Sequence, residues 1–373
     1  MKTILVTGSA GFVGKQVCLA LRRRDDFEVI EYNSGSDPSK LPEMIARCEF
    51  VIHLAGVNRP KDEKEFMIGN ADFTRELCDV VARDGRKIPI AMSSSIQAER
   101  DNPYGISKKM AEDALLEHQH KSGAPVFIYR LPNVFGKWSR PEYNTVVATF
   151  CHNVSRNQAV TISDPSAELR FVYIDDVVRD LMELVGGKSV TDGGTHREVT
   201  PEHHITLGEL HDRIVSFRDC RSSAMVPDLA DPLTKCLYST YLSFLDEKDF
   251  ARPIDLKTDD RGWLFELVKS EAFGQIFVSK TKPGITRGNH YHDTKVEKFC
   301  VIQGQGVIRF RNVLGDAVIE YAVDDKEIKV VDIPPGLTHS IENTGESEML
   351  TLFWANEIFD PEHPDTHFVN VLP

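Results

Sequence analysis

The chain has 373 residues, 41% of them hydrophobic and 27% charged, the make-up of a globular protein long enough for two or three domains. Its formal net charge of −13 argues against generic binding to nucleic acid or to an anionic membrane, both of which require a cationic surface. No apolar run approaches the roughly 18 residues of a bilayer span, and Met1–Val6 leads straight into a glycine loop rather than a signal sequence. Seven scattered cysteines with no C-x-x-C pair fit free thiols in a reducing compartment, so a cytoplasmic location is expected.

Lys2–Val6 reads as a short apolar strand, Gly8, Gly11 and Gly14 as a glycine loop, and Lys15–Arg24 as a helix. A strand, loop and helix in this order present backbone N–H groups at a positive helix end, where a pyrophosphate can sit. Gly8, Gly11, Phe12, Val13 and Gly14 are therefore expected to bind a dinucleotide. The second strand, Phe27–Tyr32, ends at Asn33, whose neutral side chain does not repel a 2′-phosphate, so NADPH is expected in preference to NADH. Glu31 would favour NADH if that strand ended earlier. Val51–Gly56 reads as a buried parallel strand whose end, Leu54, Ala55 and Gly56, borders the cofactor, and Ile90–Ser95 reads as the next strand.

Tyr104 and Lys108, four apart, share one helix face and also border the cofactor. An ammonium lowers the pKa of a nearby phenol, which can then exchange a proton with a carbonyl, and a hydroxyl from Ser95 would complete the carbonyl's hydrogen bonds. Strand and helix patterns alternate to about Val185, the mark of a parallel sheet covered on both faces. Arg130–Gly136 ends a strand and opens a loop that includes Asn133, a candidate substrate ligand. Phe171–Val177 leads into a helix capped by Asp175 or Asp176. Val185–Ile205 reads as a loop, Thr206–Phe217 as a helix, and Leu237–Pro253 as the close of the first domain, residues 1–247. His118, His120, His203 and His204 are assigned surface or structural roles.

Residues 248–373 change to short strands and Gly/Pro/Asn turns, the pattern of a β-barrel. They hold Gly284-x5-His290-x-His292-x4-Glu297-x6-Gly304 and then Pro334-x-Gly336-x2-His339-x3-Asn343. Two histidines two apart face the same side of one strand. Three imidazoles and a carboxylate form a ligand set for one divalent ion, with Zn²⁺ the first choice.

Several resemblances follow from these residues. The G-x-x-G-x-x-G loop and the Tyr-x3-Lys pair resemble the extended short-chain dehydrogenase/reductases, a Rossmann-type doubly wound α/β fold. That resemblance implies Ser95, Tyr104 and Lys108 as the catalytic set, with Ser94 the alternative if the alignment slips by one. The two His-containing segments resemble both halves of the cupin signature, an all-β barrel, with Ile328 standing where the second half usually opens with Gly. Asp259–Glu266 and Thr286–His290 resemble the D-x-R-G-x-F-x-E and R-G-x-H segments of dTDP-4-keto-6-deoxyhexose 3,5-epimerases. In those enzymes the arginines hold the substrate diphosphate and the His is a general base, which implies Arg261 and Arg287 as phosphate clamps.

One nitrogen of His290 cannot serve both metal and base, and His292, where the epimerases usually have Gln, favours the metal. Tyr291, Lys298, His363 and Asp360 then remain candidate bases.

Over essentially its full length, including Leu54–Pro60, Ser93–Ala98, Leu237–Leu242 and Phe359–Pro361, the chain resembles bifunctional enzymes of capsular-polysaccharide and O-antigen synthesis on the route to UDP-N-acetyl-L-fucosamine. That family implies C3 epimerisation and NADPH-dependent C4 reduction of UDP-2-acetamido-2,6-dideoxy-4-hexulose. The cupin resemblance implies a homodimer, since such barrels commonly pair through their sheets. Two other readings are an NAD-dependent nucleotide-sugar dehydratase/epimerase with a structural metal in its barrel, and a non-catalytic nucleotide sensor. A 4,6-dehydratase usually carries Asp-Glu beside the Ser, where this chain has Ile96-Gln97. An intact Ser95/Tyr104/Lys108 set argues against a sensor.

Overall fold

A computed structural model describes residues 1–143, 145–187, 195–251 and 255–372. The chain divides into two compact units, Met1–Ile214 with Cys236–Leu245, and Val215–Lys235 with Asp246–Pro373. Among the described residues, no helix is long and apolar enough to cross a membrane, and all seven cysteines are free thiols.

The first unit is built on β1 (Lys2–Thr7), β2 (Phe27–Tyr32), β3 (Phe50–His53), β4 (Ile90–Ser95) and β5 (Val126–Leu131). They lie in the order β2-β1-β3-β4-β5 with the short strand His196–Arg197 beyond, and every pair is parallel. Alternation along β1 sends Ile4 and Val6 to one face and Leu5 to the other, all fully buried. On the first face they pack with Val17 and Leu21 of the helix Phe12–Arg22 and with Val177 and Leu181 of Ile174–Val185. On the second, Leu5 and Val51 pack with Leu41 and Ile45 of the helix Leu41–Arg47, Leu77 and Val81 of Phe73–Asp84, and Ala111 and Leu115 of Pro103–Ser122. This is the doubly wound parallel sheet expected. The strand order reverses between β1 and β3, so the crevice at their carboxyl ends is where such a sheet takes a ligand.

The strands of the second unit's two sheets all pair antiparallel. Its six-stranded sheet runs Lys257–Asp259, Gly262–Ser270, Gly274–Thr281, Met349–Ala355, Glu297–Gln303, Val330–Ile333, and its five-stranded sheet runs Val318–Asp324, Gln305–Asn312, Leu337–Asn343, Thr286–Tyr291, His367–Phe368. Phe299, Ile333, Met349 and Phe353 of the first sheet share one core with Ile308, Phe310, Val323 and Ile341 of the second. Ile328 lies exposed ahead of Val330–Ile333 without a positive φ, so that turn has no need of glycine.

Several local expectations are corrected. The first helix starts at Phe12, directly on the glycine loop. Asp175 and Asp176 lie inside the first turn of Ile174–Val185, with Tyr173 at the cap, where their charges oppose the helix dipole and pair with Lys137 and Arg179 at 2.6 Å each. The stretch expected as a loop from Val185 contributes His196–Arg197 and Glu202–Thr206, while 188–194 lie outside the described residues. Glu202–Thr206 and Asn133–Phe135 both pair with Glu168–Tyr173 in a small third sheet. Leu207–Ser223 runs longer than its apolar periodicity indicated, and Pro232–Leu242 is a helix.

Candidate active sites

The glycine loop closes on the end of β3. At Gly8 (φ +68°) a Cβ would stand 2.6 Å from the Ala55 nitrogen, and at Gly14 it would collide with the Gly8 carbonyl. Only glycine lets the chain turn this tightly. Gly11 is the N-cap of Phe12–Arg22 and supplies no side-chain cap, and the first turn carries no acid. The N–H groups of Phe12 and Val13 are thus left for an anion, which fits the pyrophosphate of a dinucleotide. β2 ends at Tyr32, so Asn33 is its tip. The Asn33 amide donates weakly to Ser9 Oγ (3.5 Å) and its carbonyl accepts from Gly35 N (2.9 Å). Glu31 pairs with Arg22.

Several side chains that sequence reasoning missed hold this crevice together. His53 is buried and bonds Thr7 Oγ1 (2.7 Å) and Thr74 Oγ1 (2.9 Å), while Thr7 Oγ1 accepts from Ala55 N (3.3 Å). Burial, then the charge of Lys108, push His53 down to about 3, so it is a neutral strut. Asn70, in a π-helical segment Met67–Asp72, accepts from Val57 N (2.8 Å) and donates to Val57 O and Ser107 Oγ (2.9 Å each). Nothing in the spacing of these residues marks them, because each joins segments far apart in sequence.

Tyr104 and Lys108 lie in the first turns of Pro103–Ser122, which Asn102 caps by accepting from Gly105 N at 2.8 Å. Lys108 is buried and donates to Ser93 O at 2.9 Å. Burial, partly offset by Glu112, lowers it to about 8. Tyr104 differs from the expectation: burial pushes its phenol up, and a hydrogen bond with Ser95 offsets only part of that. Ser95 Oγ accepts from Gln97 N (3.1 Å). Ser94 faces elsewhere, donating to Glu112 Oε1 at 2.6 Å, and Glu112 also takes two bonds from Arg130 (3.0 and 2.7 Å). The hydroxyl beside the phenol is therefore that of Ser95. Asn133 is exposed, with its amide on Arg170 O at 3.1 Å.

In the second unit the strand Thr286–Tyr291 carries a β-bulge. Gly288 faces Ser340 and His290 faces His339, leaving Asn289 (φ +58°) as the extra residue. The bulge turns His290 onto the same spot as His339, their ring centroids 4.6 Å apart. His290, His292, Glu297 and His339 each offer a ligand atom, all within 4.8 Å of one another. His292 Nε2 and His339 Nε2 stand 3.2 and 3.4 Å from Glu297 Oε2. All three atoms are buried and lack a hydrogen-bond partner among the described residues. Orphaned buried donors and acceptors aimed at a common point fit a cation.

Burial raises Glu297, but the facing His292 and His339 outweigh it and bring the carboxylate down to about 2. Burial, then His339 and His292, push His290 down to about 4. Both groups are therefore in their ligating forms near neutral pH. Outer partners fix the rings: His292 Nδ1 donates to the Asp365 carbonyl, and Gly336 N donates to His292 O at 2.8 Å. The Asp365 carboxylate accepts from the backbone of Asp293, Thr294 and Lys295 (2.8–2.9 Å), so it clasps the loop behind His292. No sequence signal marked Asp365.

A cavity of about 140 Å³ adjoins this cluster, lined by Leu264, Phe277, Arg287, His290, Glu297 and Phe299 among others. Among the described residues, Arg287 bonds only the neutral Thr281 Oγ1 (3.0 Å) and Lys280 O (3.4 Å). Burial, then the charge of Arg261, lower it. Arg261 is exposed and paired with Asp259 (2.9 Å from Nε). None of the four candidate bases lines the cavity: Tyr291 stacks on His367 (4.9 Å), Lys298 pairs with Asp332, and His363 and Asp360 pair with each other at 3.2 Å. A larger hollow of about 540 Å³ in the first unit is lined by Arg75, Asp79, Lys87, Glu117 and Lys121 among others, charges of both signs that converge on nothing.

A glycine cradle at the switch point of a parallel sheet, beside a buried Tyr/Lys pair, defines a dinucleotide-binding unit. Residues 4–188 match the NAD dependent epimerase/dehydratase family, and 257–367 match the polysaccharide biosynthesis C-terminal domain. The chain is 45% identical over 368 residues to the UDP-2-acetamido-2,6-beta-L-arabino-hexul-4-ose reductase of Pseudomonas aeruginosa, spanning 99% of this chain and 98% of that protein. It also matches the crystal structure of the capsular polysaccharide assembling protein CapF from Staphylococcus aureus, at 43% identity and TM-score 0.91, over 99% of this chain and 100% of that one. The chain belongs to this CapF family. The UDP-glucuronic acid 4-epimerase of Bacillus cereus, at 17% identity and TM-score 0.55 over 65% of this chain and 96% of that one, shares the fold alone.

Proposed function

We propose that this chain performs two successive reactions on UDP-2-acetamido-2,6-dideoxy-4-hexulose. Residues 248–373, as a cupin barrel, epimerise C3. Residues 1–247, as an extended short-chain reductase, reduce the C4 ketone with NADPH to give UDP-2-acetamido-2,6-dideoxy-L-talose. The observation that carries this reading is the pairing in one chain of two sites. One is the buried Tyr104/Lys108 pair beside the glycine cradle; the other is a cavity holding Arg287 against a His/Glu cluster. The name of the Pseudomonas relative supports the reductase half.

A ketone at C4 acidifies the hydrogen at C3, because the resulting carbanion is delocalised as an enolate. Arg287 and Arg261 would hold the diphosphate through guanidinium forks. His290, His292, Glu297 and His339 would hold one divalent ion, Zn²⁺ by donor set, which when bound supplies a fixed positive charge at the cavity. In the first unit, bound NADPH supplies the hydride. Tyr104 passes its proton to the C4 oxygen while Ser95 donates a hydrogen bond to that oxygen, and Asn133 contacts the sugar nucleotide. Reduction removes the C4 ketone, so C3 is no longer acidic and its configuration is locked. We place the protein in the cytoplasm as a homodimer, a location its free thiols support.

The test is product analysis with the UDP-4-hexulose in D₂O, with and without NADPH. Deuterium at C3 without NADPH, and a reduced product only with it, is the expected outcome; NADPH oxidation without C3 exchange would remove the epimerase half.

NADPH should exceed NADH in kcat/KM, since Asn33 is neutral and Glu31 is engaged by Arg22. Comparable values would overturn that preference. The pH profile should also carry a basic limb. Lys108 is protonated below about 8 and loses its charge as pH rises through that value, so NADPH oxidation should fall above it. A rate flat to pH 10 in a protein that stays folded would show that Lys108 keeps its proton.

A further inference from the structure

The loops that border the reductase crevice carry two arginines that the reaction above does not use. Arg59 follows Gly56, where an added Cβ would stand 3.4 Å from Lys108 Nζ. Three residues of chain span at most about 11 Å, so the backbone of Arg59 is anchored within about 15 Å of Lys108 Nζ. Arg140 lies in the loop after Asn133–Phe135, and that loop is tied to the cofactor helix where Gln16 Nε2 donates to Lys137 O at 2.8 Å. The two guanidinium groups converge on a single ring: Arg59 Cζ is 5.9 Å and Arg140 Cζ 5.0 Å from the centroid of Tyr143. Arg59 also donates to Glu142 O at 3.3 Å, which fixes it to the second loop.

Both arginines are exposed, and neither has a carboxylate partner among the described residues. Most other arginines of the first unit bond an acid, as in Arg22–Glu31, Arg130–Glu112 and Arg170–Glu202. Two like charges gathered on one ring, unneutralised, at the ligand end of a doubly wound sheet call for an anion.

We propose that Arg59 and Arg140, braced by Tyr143, form the diphosphate subsite of the reductase unit. It would be separate from the Arg261/Arg287 pair of the second unit, so that each unit grips the sugar nucleotide by its own arginines. The cofactor is the other source of a diphosphate, but its pyrophosphate has the Gly11–Val13 helix end, and Arg59 follows three residues after Gly56, which adjoins Lys108. The inference rests on the proposed reduction.

The test uses the full-length protein with Arg59→Ala, Arg140→Ala and the double variant. Each single change should raise the KM for the UDP-4-hexulose in NADPH oxidation, and the inhibition constant of UDP, by about tenfold or more, the usual loss on removing a charge-assisted hydrogen bond. The Kd of NADPH and the deuterium exchange at C3 should stay within twofold, which also reports that both units are folded. Arg59→Lys should recover only part of the loss, because a point charge lacks the fork. Unchanged UDP inhibition would overturn the inference. So would a matching rise in the Kd of NADPH, since the arginines would then serve the cofactor. If the wild-type chain oxidises no NADPH with any 4-keto sugar, the proposed reduction fails. Calorimetric titration of UDP into the Arg287→Ala protein, with and without the Arg59/Arg140 changes, then still decides the subsite: equal affinities overturn it.

Discussion

Stripping divalent metal with a chelator should lower the melting temperature of the second unit by on the order of 10 °C and leave NADPH binding by the first unit unchanged. The cluster places His292 Nε2, Glu297 Oε2 and His339 Nε2 in a buried space with no hydrogen-bond partner. Without a cation these atoms are desolvated and unpaired, a state that costs about 1–3 kcal/mol for each such group. A ligand that binds only the folded unit, at a thousandfold its Kd, contributes about 4 kcal/mol. For a unit of this size each kcal/mol corresponds to about 2–4 °C. Scanning calorimetry with and without chelator reads the shift directly.

His292→Gln separates the roles open to the ion. Retained C3 exchange with a lower melting temperature would make the metal structural and return His290 to the role of base. Lost exchange in a still-folded unit would make the ion part of the chemistry. A full complement of metal in folded His292→Gln protein would overturn the ligand assignment.

Tyr104→Phe should abolish C4 reduction, by about 10²–10⁴-fold, while C3 exchange continues. The substitution removes one oxygen from a half-buried ring that packs on Phe66 at 5.5 Å, so the fold should persist. Because burial holds the phenol up in the free protein, the proton is firmly on Tyr104 before substrate arrives, the form a proton donor needs. Single-turnover NADPH oxidation and deuterium incorporation at C3, measured on the same preparation, separate the two activities. Equal loss of both would show that the division of labour between the units is wrong.

What the sequence determined by itself was whatever depends on short-range spacing. A glycine loop between an apolar strand and a helix needs no distant partner to be recognised, because chain geometry alone fixes the cradle and the free helix end. Tyr104 and Lys108 share a helix face because they are four apart, and the change from alternating helix and strand to short strands and turns separated the parallel unit from the antiparallel one. Tertiary structure decided everything that depends on which distant segment fills a given space. Ser95 rather than Ser94 faces the phenol because Glu112, itself held by Arg130, claims Ser94 from the other side of β4. A bulge at Asn289, and not the period of two, turns His290 toward His339. Asp365 reaches His292 across 73 positions of sequence. Tyr104 is raised rather than lowered because burial, which is absent from local spacing, outweighs the hydrogen bond with Ser95. Local spacing sets the face on which a side chain lies. The contacts between faces, and the desolvation that comes with them, belong to the folded chain as a whole.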